Sequence, residues 1–362
     1  MLPGPALPPL LMSPVNSRVF GQLPTGEKVH AWTLGNAGGA LLEVIEYGGI
    51  VTRLLVPDRA GRLADVVLGF DSLAPYLGSH PYFGAIAGRV AGRISGGRFT
   101  LENKTHELAR NDGPNHLHGG RVGFDKRRWQ GAPVQRADGA ASVRLTLTSA
   151  DGDEGYPGRL DAVVTFTLTD RNEFLFETEL RSDRTTPASL THHSYFNLGG
   201  EDAGPVTDHT LRIFADAYVP SDEFMALSGR RESVAGRAGD FRAARRMGEA
   251  LPGIFKQHGD LYHVRRPAGG GDALVPAARA HDPKSGRTME VFTTEDYVQF
   301  YSGVSLDGTL RGKAGAPYGR HQGFCLECEG YPDGANVPAL GDIFVHLSRP
   351  KRGLTKYVFS AE

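Results

Sequence analysis

Two short segments of this chain carry side chains that could move protons. The segment "LTHHSYFNLGG" (190–200) places His192 and His193 side by side, and "GFCLECEGYPDG" (323–334) places Glu327 and Glu329 two residues apart. Histidine and glutamate are residue types whose pKa values proteins tune towards neutrality for acid/base work. The first question is which members of these two pairs can face the same site.

Strand geometry separates the two histidines. In an extended strand, neighbouring side chains point to opposite faces. One face carries Thr191, His193, Tyr195 and Asn197, and the other carries His192, Ser194, Phe196 and Leu198. The His192 face ends in two large apolar residues and is typical of a packed side, whereas the His193 face is polar throughout. The pattern therefore predicts that His193 faces a ligand.

The same geometry groups the two glutamates. Glu327 and Glu329 share one strand face, about 7 Å apart along the strand. Charged groups beside the apolar "FCL" are costly to bury unless they are satisfied or functional, and an exposed edge face is the alternative. If both are buried, the like charge of Glu329 is expected to raise the pKa of Glu327. Cys325 and Cys328 point to opposite faces of such a strand, which argues against a redox or zinc pair.

Two glycine-rich segments add cationic and imidazole groups. Arg89 and Arg93 lie in "GAIAGRVAGRISGGRF" (84–99), which lacks the Gly-Lys-Ser/Thr ending of a phosphate loop and has a solvated basic loop as its alternative. In "NDGPNHLHGG" (111–120), His118 precedes two glycines that allow close approach of a ligand. His116 and His118 could be two metal ligands on one strand face, but no third ligand cluster is nearby, so no metal site is predicted.

The elements that must hold these groups are strands. Alternating, β-branched runs such as "VRLTLT" and "VVTFTLT" are separated by turn dipeptides, and the chain has 48 glycines and 23 prolines. Helical patterns are short, around "DSLAPYL" and "FRAARRMGEAL", and "PAGGGDALVPAARA" (267–280) reads as an exposed loop. The expected fold is all-β: one large antiparallel β-sandwich with few short helices.

Composition restricts the partners and the compartment. Lys plus Arg is 40 and Asp plus Glu is 41, so there is no basic excess that would favour a nucleic acid or a membrane surface. No apolar run approaches the roughly 18 residues of a membrane span. Two cysteines imply no disulfide framework, which predicts a cytoplasmic protein. We expect a flexible lead-in over residues 1–17, with Met12 as an alternative start, and one domain over 18–362.

Seven segments in this order resemble the aldose 1-epimerase (galactose mutarotase) family. They cover the chain from about residue 18 to its C-terminus with comparable spacing. They are "PYFGAIAGRVAGRI", "NDGPNHLHGG" with "GFDKRRW", "DGDEGYPG", "LTHHSYFNLGG", "ADAYVPSDE", "VQFYSG" with "LDGTLRGK", and "HQGFCLECEGYPDGANVP". One such motif is weak evidence, whereas the ordered set is specific.

The resemblance implies a mutarotase-like β-sandwich that interconverts the α and β anomers of a free aldose without a cofactor. By position, Glu327 matches the general base of the family and His193 its general acid. Residues that match sugar-binding positions are Arg93, His118, Asp260 and Gln299. The implied partner is a monosaccharide, and the chain is expected to be a monomer or a homodimer.

The chain departs from the family pattern at positions of the sugar cleft. Gly92 and His192 each stand where an Asn is usual, and Glu329 stands where Gln is common. Leu261 and Tyr262, in "GDLYHV", replace the usual residues after the matched Asp. Loss of an amide that binds a sugar hydroxyl costs roughly 1–3 kcal/mol when its partner is left unpaired. We therefore expect a preference for an aldose other than galactose, or a broad specificity.

Three other functions fit parts of the sequence. A glycoside hydrolase also uses two carboxylates, but Glu327 and Glu329 on one strand would lie on one side of a sugar. A phosphosugar epimerase needs a cationic pocket, for which Arg230-Arg231 and Arg245-Arg246 are the candidates. A non-catalytic sugar-binding protein is disfavoured because both matched proton-transfer residues are present.

Overall fold

The computed structural model describes residues 15–269 and 271–362, whose regular secondary structure is mostly antiparallel strands. The strands of the first half are β1 (Val15–Gln22), β2 (Lys28–Gly35), β3 (Leu41–Ile45), β4 (Val51–Pro57), β5 (Leu63–Asp65), β6 (Ala85–Ala87), β7 (Arg93–Ile94), β8 (Arg98–Leu101), β9 (Lys104–Glu107), β10 (His116–Leu117), β11 (Gln130–Val134), β12 (Ala141–Ser149), β13 (Leu160–Leu168) and β14 (Glu173–Ser182).

The second half continues the same pattern. Its strands are β15 (Thr186–Pro187), β16 (Thr191–His193), β17 (Thr210–Ile213), β18 (Ala215–Val219), β19 (Glu232–Ser233), β20 (Arg245–Arg246), β21 (Leu261–Val264), β22 (Val275–His281), β23 (Arg287–Thr293), β24 (Tyr297–Tyr301), β25 (Cys325–Glu329), β26 (Phe344–Val345) and β27 (Lys351–Ala361). Two short α-helices, α1 (Leu73–Leu77) and α2 (Met247–Ala250), lie in the two segments predicted to be helical.

Three large sheets form the body of the fold. The largest has nine strands in the order β11-β12-β13-β14-β27-β23-β22-β17-β20, and two five-stranded sheets have the orders β1-β2-β3-β4-β5 and β19-β18-β21-β24-β25. One buried apolar cluster takes side chains from all three sheets, among them Val44, Val164 and Leu326. The predicted all-β sandwich is confirmed.

Alternation along the strands explains why they pack as layers. In β13, Leu160, Ala162, Val164 and Phe166 are buried, and the residues between them are partly exposed. Each such strand therefore presents one apolar face to the core, which is the pattern of a half-buried antiparallel sheet. Among the described residues, no helix has the length and apolarity needed to cross a membrane.

Two boundaries differ from the prediction. Strand β1 begins at Val15, so residues 15–17 of the predicted lead-in pair with β2, while residues 1–14 lie outside the described part of the chain. The predicted loop 267–280 was wrong at its end, because residues from Val275 onwards form β22 between β17 and β23. Pro276 lies at a register shift of β22, where its missing N–H is tolerated.

Candidate active site

A cavity of about 350 Å³ opens beside β24 and β25 and brings the predicted site residues together. Its volume suits a monosaccharide-sized ligand. All six residues predicted from the sequence line its wall: Arg93, His118, His193, Asp260, Gln299 and Glu327.

Strand register sets the places of these side chains. Leu261 of β21 lies opposite Gln299 of β24, which lies opposite Glu327 of β25, so three neighbouring strands form one wall. Strand β16 brings His193 to the cavity by pairing with β6, and β7 brings Arg93 by pairing with β10. The four predicted site residues on these strands are therefore held by paired backbone, which favours a fixed geometry.

His193 and Glu327 are in direct contact. The Nε2 atom of His193 lies 3.4 Å from an Oε atom of Glu327, and both side chains are buried. The His193 ring stacks on Tyr195, with ring centres 5.3 Å apart, and on Tyr82, at 5.7 Å. Two stacked rings and the neighbouring strand hold the imidazole in one orientation towards the carboxyl group of Glu327.

A thiol lies against the other nitrogen of His193. Cys325 Sγ is 3.6 Å from Nδ1 of His193, within reach of a weak sulfur hydrogen bond. Burial raises the pKa of the Cys325 thiol well above its usual value, so the thiol keeps its proton.

Burial moves the pKa values of the two groups in opposite directions. It raises the pKa of Glu327 to about 8, against the opposing charge of Arg93, and it lowers the pKa of His193 to about 4. Desolvation disfavours the charged form of either group. Between these values the pair holds one proton, and the 3.4 Å separation allows that proton to be on either partner.

Glu329 also lines the cavity, as the shared strand face predicts. The sequence-based expectation that the charge of Glu329 raises the pKa of Glu327 stays a prediction. Burial is what raises the pKa of Glu327, whereas burial and the charge of Glu327 raise the pKa of Glu329 well above its usual value. Burial therefore favours the protonated form of both groups, and the ionisation of one disfavours the ionisation of the other.

His192 lies on the packed side, as the strand phase predicts. Its ring contacts Phe174 at 5.1 Å and Phe176 at 5.7 Å between ring centres, and its Nε2 atom bonds the hydroxyl of Ser194. Burial lowers its pKa to about 3, so the ring is neutral. His192 is a core residue, and His193 is the member of the pair that reaches the cavity.

His118 reaches the cavity because the backbone turns there. Its φ of 49° is left-handed, which breaks the strand alternation after β10 and separates its direction from that of His116. The Gly92 N–H donates to Nδ1 of His118 at 3.1 Å, so the proton of neutral His118 is on Nε2. Burial and the nearby His193 lower the pKa of His118 well below its usual value, and the ring acts as a neutral hydrogen-bond donor.

The ring hydrogen bonds also bear on metal binding. His118, His193 and Glu327 place one ligand atom each within 4.8 Å of one another. Ligating histidines donate the proton of their second nitrogen to an acceptor, whereas Nδ1 of His118 accepts from Gly92 and Nε2 keeps the proton. A metal would have to break that bond. The alternative pair of His116 with His118 is excluded, because His116 bonds the Ala109 carbonyl and the Tyr156 hydroxyl.

Ion pairs hold Arg93 and Asp260 in place, and a hydrogen bond holds Gln299. Arg93 Nε lies 2.6 Å from a carboxylate oxygen of Asp112, and Arg237 lies 3.5 Å from a carboxylate oxygen of Asp260. Burial raises the pKa of Asp260, and the charge of Arg237 opposes the rise. Gln299 donates to the Phe300 carbonyl at 2.7 Å. The two charged groups and the neutral amide can therefore bind several sugar hydroxyls.

The family departures divide into two groups. Gly92, Leu261 and Glu329 line the cavity. Tyr262, by contrast, points away from the cavity and donates to the Gly239 carbonyl. Together with the core position of His192, this leaves three departures that can change the choice of sugar.

Sequence reasoning missed four residues of the site. Tyr82, Tyr301 and His258 line the cavity, and Asp112 pairs with Arg93. Tyr82 has its centre 4.7 Å from that of His118 as well as stacking on His193. Its place in "PYFGAIAGRV" and that of Asp112 in "NDGP" were within the quoted motifs. A polar residue close to a predicted sugar-binding residue is the signal that could have identified Tyr82 and Asp112.

The arginines considered for a phosphate pocket are engaged elsewhere. Arg230 pairs with Glu232, and Arg231 donates to the Tyr297 hydroxyl. None of Arg230, Arg231, Arg245 and Arg246 is among the described residues that line the cavity. Within the described part of the chain, the cavity thus offers Arg93 and no cluster of arginines.

The chain is similar in sequence to known proteins along most of its length. The sequence profile of the family described as aldose 1-epimerase matches residues 30–349. The chain is 43% identical over 349 residues to a galactose mutarotase of Bos taurus, covering 96% of this chain and 99% of that protein. It is 36% identical to an aldose 1-epimerase of Escherichia coli (strain K12), covering 94% and 97%.

A solved structure gives the same result for the fold. The crystal structure of a galactose 1-epimerase from Lactobacillus acidophilus superposes with a TM-score of 0.83 at 26% identity, covering 96% of this chain and 98% of that one.

Proposed function

This chain belongs to the aldose 1-epimerase family, and on that premise we propose that it interconverts the α and β anomers of a free aldose, with Glu327 as general base and His193 as general acid. The observation that carries the two roles is the contact between His193 and Glu327 in the wall of a sugar-sized cavity. The strand phase of both residues supports the same assignment.

The reaction needs two proton transfers and no net change. The base takes the proton of the C1 hydroxyl while the acid protonates the ring oxygen, and the C1–O5 bond breaks to give the open aldehyde. Rotation about C1–C2 turns the aldehyde over. Closure runs the same transfers in reverse, so protons and electrons balance without a cofactor. Each transfer is worth typically about 10² to 10⁴ in rate.

Burial disfavours the charge-separated form that the reaction uses, and Arg93 offsets part of that cost. The positive charge of Arg93 lowers the pKa of Glu327 and thereby stabilises its carboxylate. The resting form, with the proton on Glu327, and the reactive form, with the proton on His193, contain the same number of protons. We assign the sugar hydroxyls to Arg93, His118, Asp260 and Gln299, which line the same cavity.

The pH dependence follows from this proton count. We expect kcat/KM to be bell-shaped, with limbs near pH 4 and pH 8, because the pKa of His193 is about 4 and that of Glu327 about 8. Below the lower limb both groups are protonated and no base remains. Above the upper limb both have lost their protons and no acid remains. Polarimetry of a freshly dissolved anomer at a series of pH values measures the pH profile of kcat/KM. Activity that keeps rising well above pH 8 would contradict the predicted profile.

The choice of sugar is proposed from Gly92, Leu261 and Glu329. Because these departures line the cavity, we expect turnover of glucose, xylose or arabinose at kcat/KM values equal to or above that of galactose. The measurement is the optical rotation of each freshly dissolved α-anomer with and without the protein. A strong preference for galactose over the other three sugars would reject this specificity but keep the reaction. No acceleration with any aldose would reject the function.

We also propose a cytoplasmic location and a single catalytic domain. The free, buried Cys325 and Cys328 fit the predicted cytoplasmic location. The core that all three large sheets share supports one catalytic domain over 18–362. The choice between monomer and homodimer stays a prediction.

A further inference from the structure

Glu329 is a buried carboxyl group without a partner in the described structure. Its side chain lies in the cavity wall, it is 1% exposed, and its Oε2 atom has no hydrogen-bond partner among the described residues. Buried polar atoms nearly always have a partner, so an orphan that faces a cavity marks a contact that a ligand supplies. The proposed reaction makes no use of this group.

Gly92 lies close to the carboxyl group of Glu329 and to Pro332. A Cβ atom at position 92 would lie 2.5 Å from Pro332 and 3.3 Å from Oε1 of Glu329. Gly92 also has a φ of 72°, which side chains rarely adopt. A side chain at position 92 would therefore clash with Pro332, and its Cβ atom would lie close to the Glu329 carboxyl group.

No cation of the described residues forms an ion pair with Glu329. Arg93, whose charge acts on Glu329, lies 2.6 Å from Asp112 instead. An ionised carboxylate without a partner is very costly to bury, and Glu327 on the same strand face adds a second acidic group. The raised pKa of Glu329 agrees with this geometry. Protonated, the group has one O–H donor and one carbonyl acceptor, the same pair that an amide offers.

We propose that Glu329 works as a neutral carboxylic acid that binds one hydroxyl of the sugar and so determines which aldose the cavity accepts. This inference rests on the proposed function for the identity of the ligand. A sugar hydroxyl both donates and accepts, so it can satisfy the acid proton and the carbonyl oxygen in turn. An aldose that lacks the hydroxyl, or carries it on the other side of the ring, leaves Glu329 unpaired.

Binding measurements on two variants test the contact. Glu329→Gln keeps a donor and an acceptor, and Glu329→Leu removes both at similar size. By calorimetry with glucose, galactose and their monodeoxy analogues, we expect Glu329→Leu to raise Kd about threefold to tenfold, the range of one hydrogen bond. We expect Glu329→Gln to bind nearly as wild type does. For the one deoxy sugar that lacks the contacting hydroxyl, wild type and Glu329→Leu should bind alike.

The outcomes separate a ligand contact from a structural role. If Glu329→Leu weakens every sugar and every deoxy analogue equally, or weakens none, Glu329 does not bind a hydroxyl and the proposal falls. Thermal unfolding of both variants checks that they fold, and Glu329→Met replaces Glu329→Leu if the latter does not.

Infrared spectroscopy tests the protonation state without turnover. The difference spectrum between wild type and Glu329→Gln at neutral pH should contain the band of a protonated carboxyl group. A carboxylate band in its place would overturn the proposal while leaving mutarotation untouched. If instead the protonated band is present and deoxy sugars discriminate but no aldose is turned over, the proposed function fails and the binding role of Glu329 stands.

Discussion

Glu327→Gln is expected to lower kcat for mutarotation by about 10² to 10⁴, the usual worth of one positioned proton transfer. The amide has the size of the carboxyl group and keeps one acceptor oxygen, but it cannot take the proton of the C1 hydroxyl. Because the pocket keeps its shape, KM should change little. Polarimetry of fresh α-D-galactose and α-D-glucose gives both constants.

A matched control lies on the same face of the same strand. Glu329→Gln makes the identical chemical change two residues away and, because Glu329 is proposed to be a neutral acid, should keep most of kcat and leave the upper pH limb in place. If Glu329→Gln is inactive and Glu327→Gln retains normal turnover, the base is Glu329 and the assignment is wrong.

His193→Asn is expected to lower kcat by a similar factor of about 10² to 10⁴, because the amide cannot deliver a proton to the ring oxygen. The loss should be accompanied by disappearance of the bell-shaped pH profile, since one member of the titrating pair is gone. Folding should be retained, as measured by thermal unfolding. Retention of both rate and profile would exclude His193 as the acid.

The neighbouring residue supplies the control for this variant. His192→Asn removes a ring packed among Phe174, Phe176 and Tyr357, and should destabilise the fold by roughly 1–3 kcal/mol. Its kcat per folded molecule should stay close to that of wild type. The two adjacent substitutions thus separate a loss of rate from a loss of stability. Equal rate losses in both variants would mean that rigidity of β16, rather than the proton on His193, limits the reaction.

The strands and the faces of their side chains were predictable because alternation is a local property. The period of two placed His193 and His192 on opposite sides, and placed Glu327 and Glu329 together, before any contact was known. Where alternation was absent, the prediction failed: β22 contains Pro276 and a run of small residues and is a strand because β17 and β23 pair with it. Tertiary pairing overrode a weak local signal.

The sequence was sufficient to predict which residues line the site, but not their protonation states. The six residues identified by resemblance share one cavity. The pKa values of Glu327 and Glu329 depend on burial and on the charge of Arg93, and neither follows from spacing. Likewise, the tautomer of His118 depends on one hydrogen bond from Gly92, which only the folded backbone shows.

Exchange of anomers at equilibrium is the most direct test of the proposed reaction and its base. Proton NMR exchange spectroscopy of a galactose or glucose solution resolves the two anomeric protons and reports their interconversion without any net change in composition. The predicted result is strong α–β exchange with wild type at neutral pH and exchange about 10² to 10⁴ times slower with Glu327→Gln. Equal exchange with both proteins would contradict the role of Glu327, and no exchange with wild type on any aldose would contradict the proposed function.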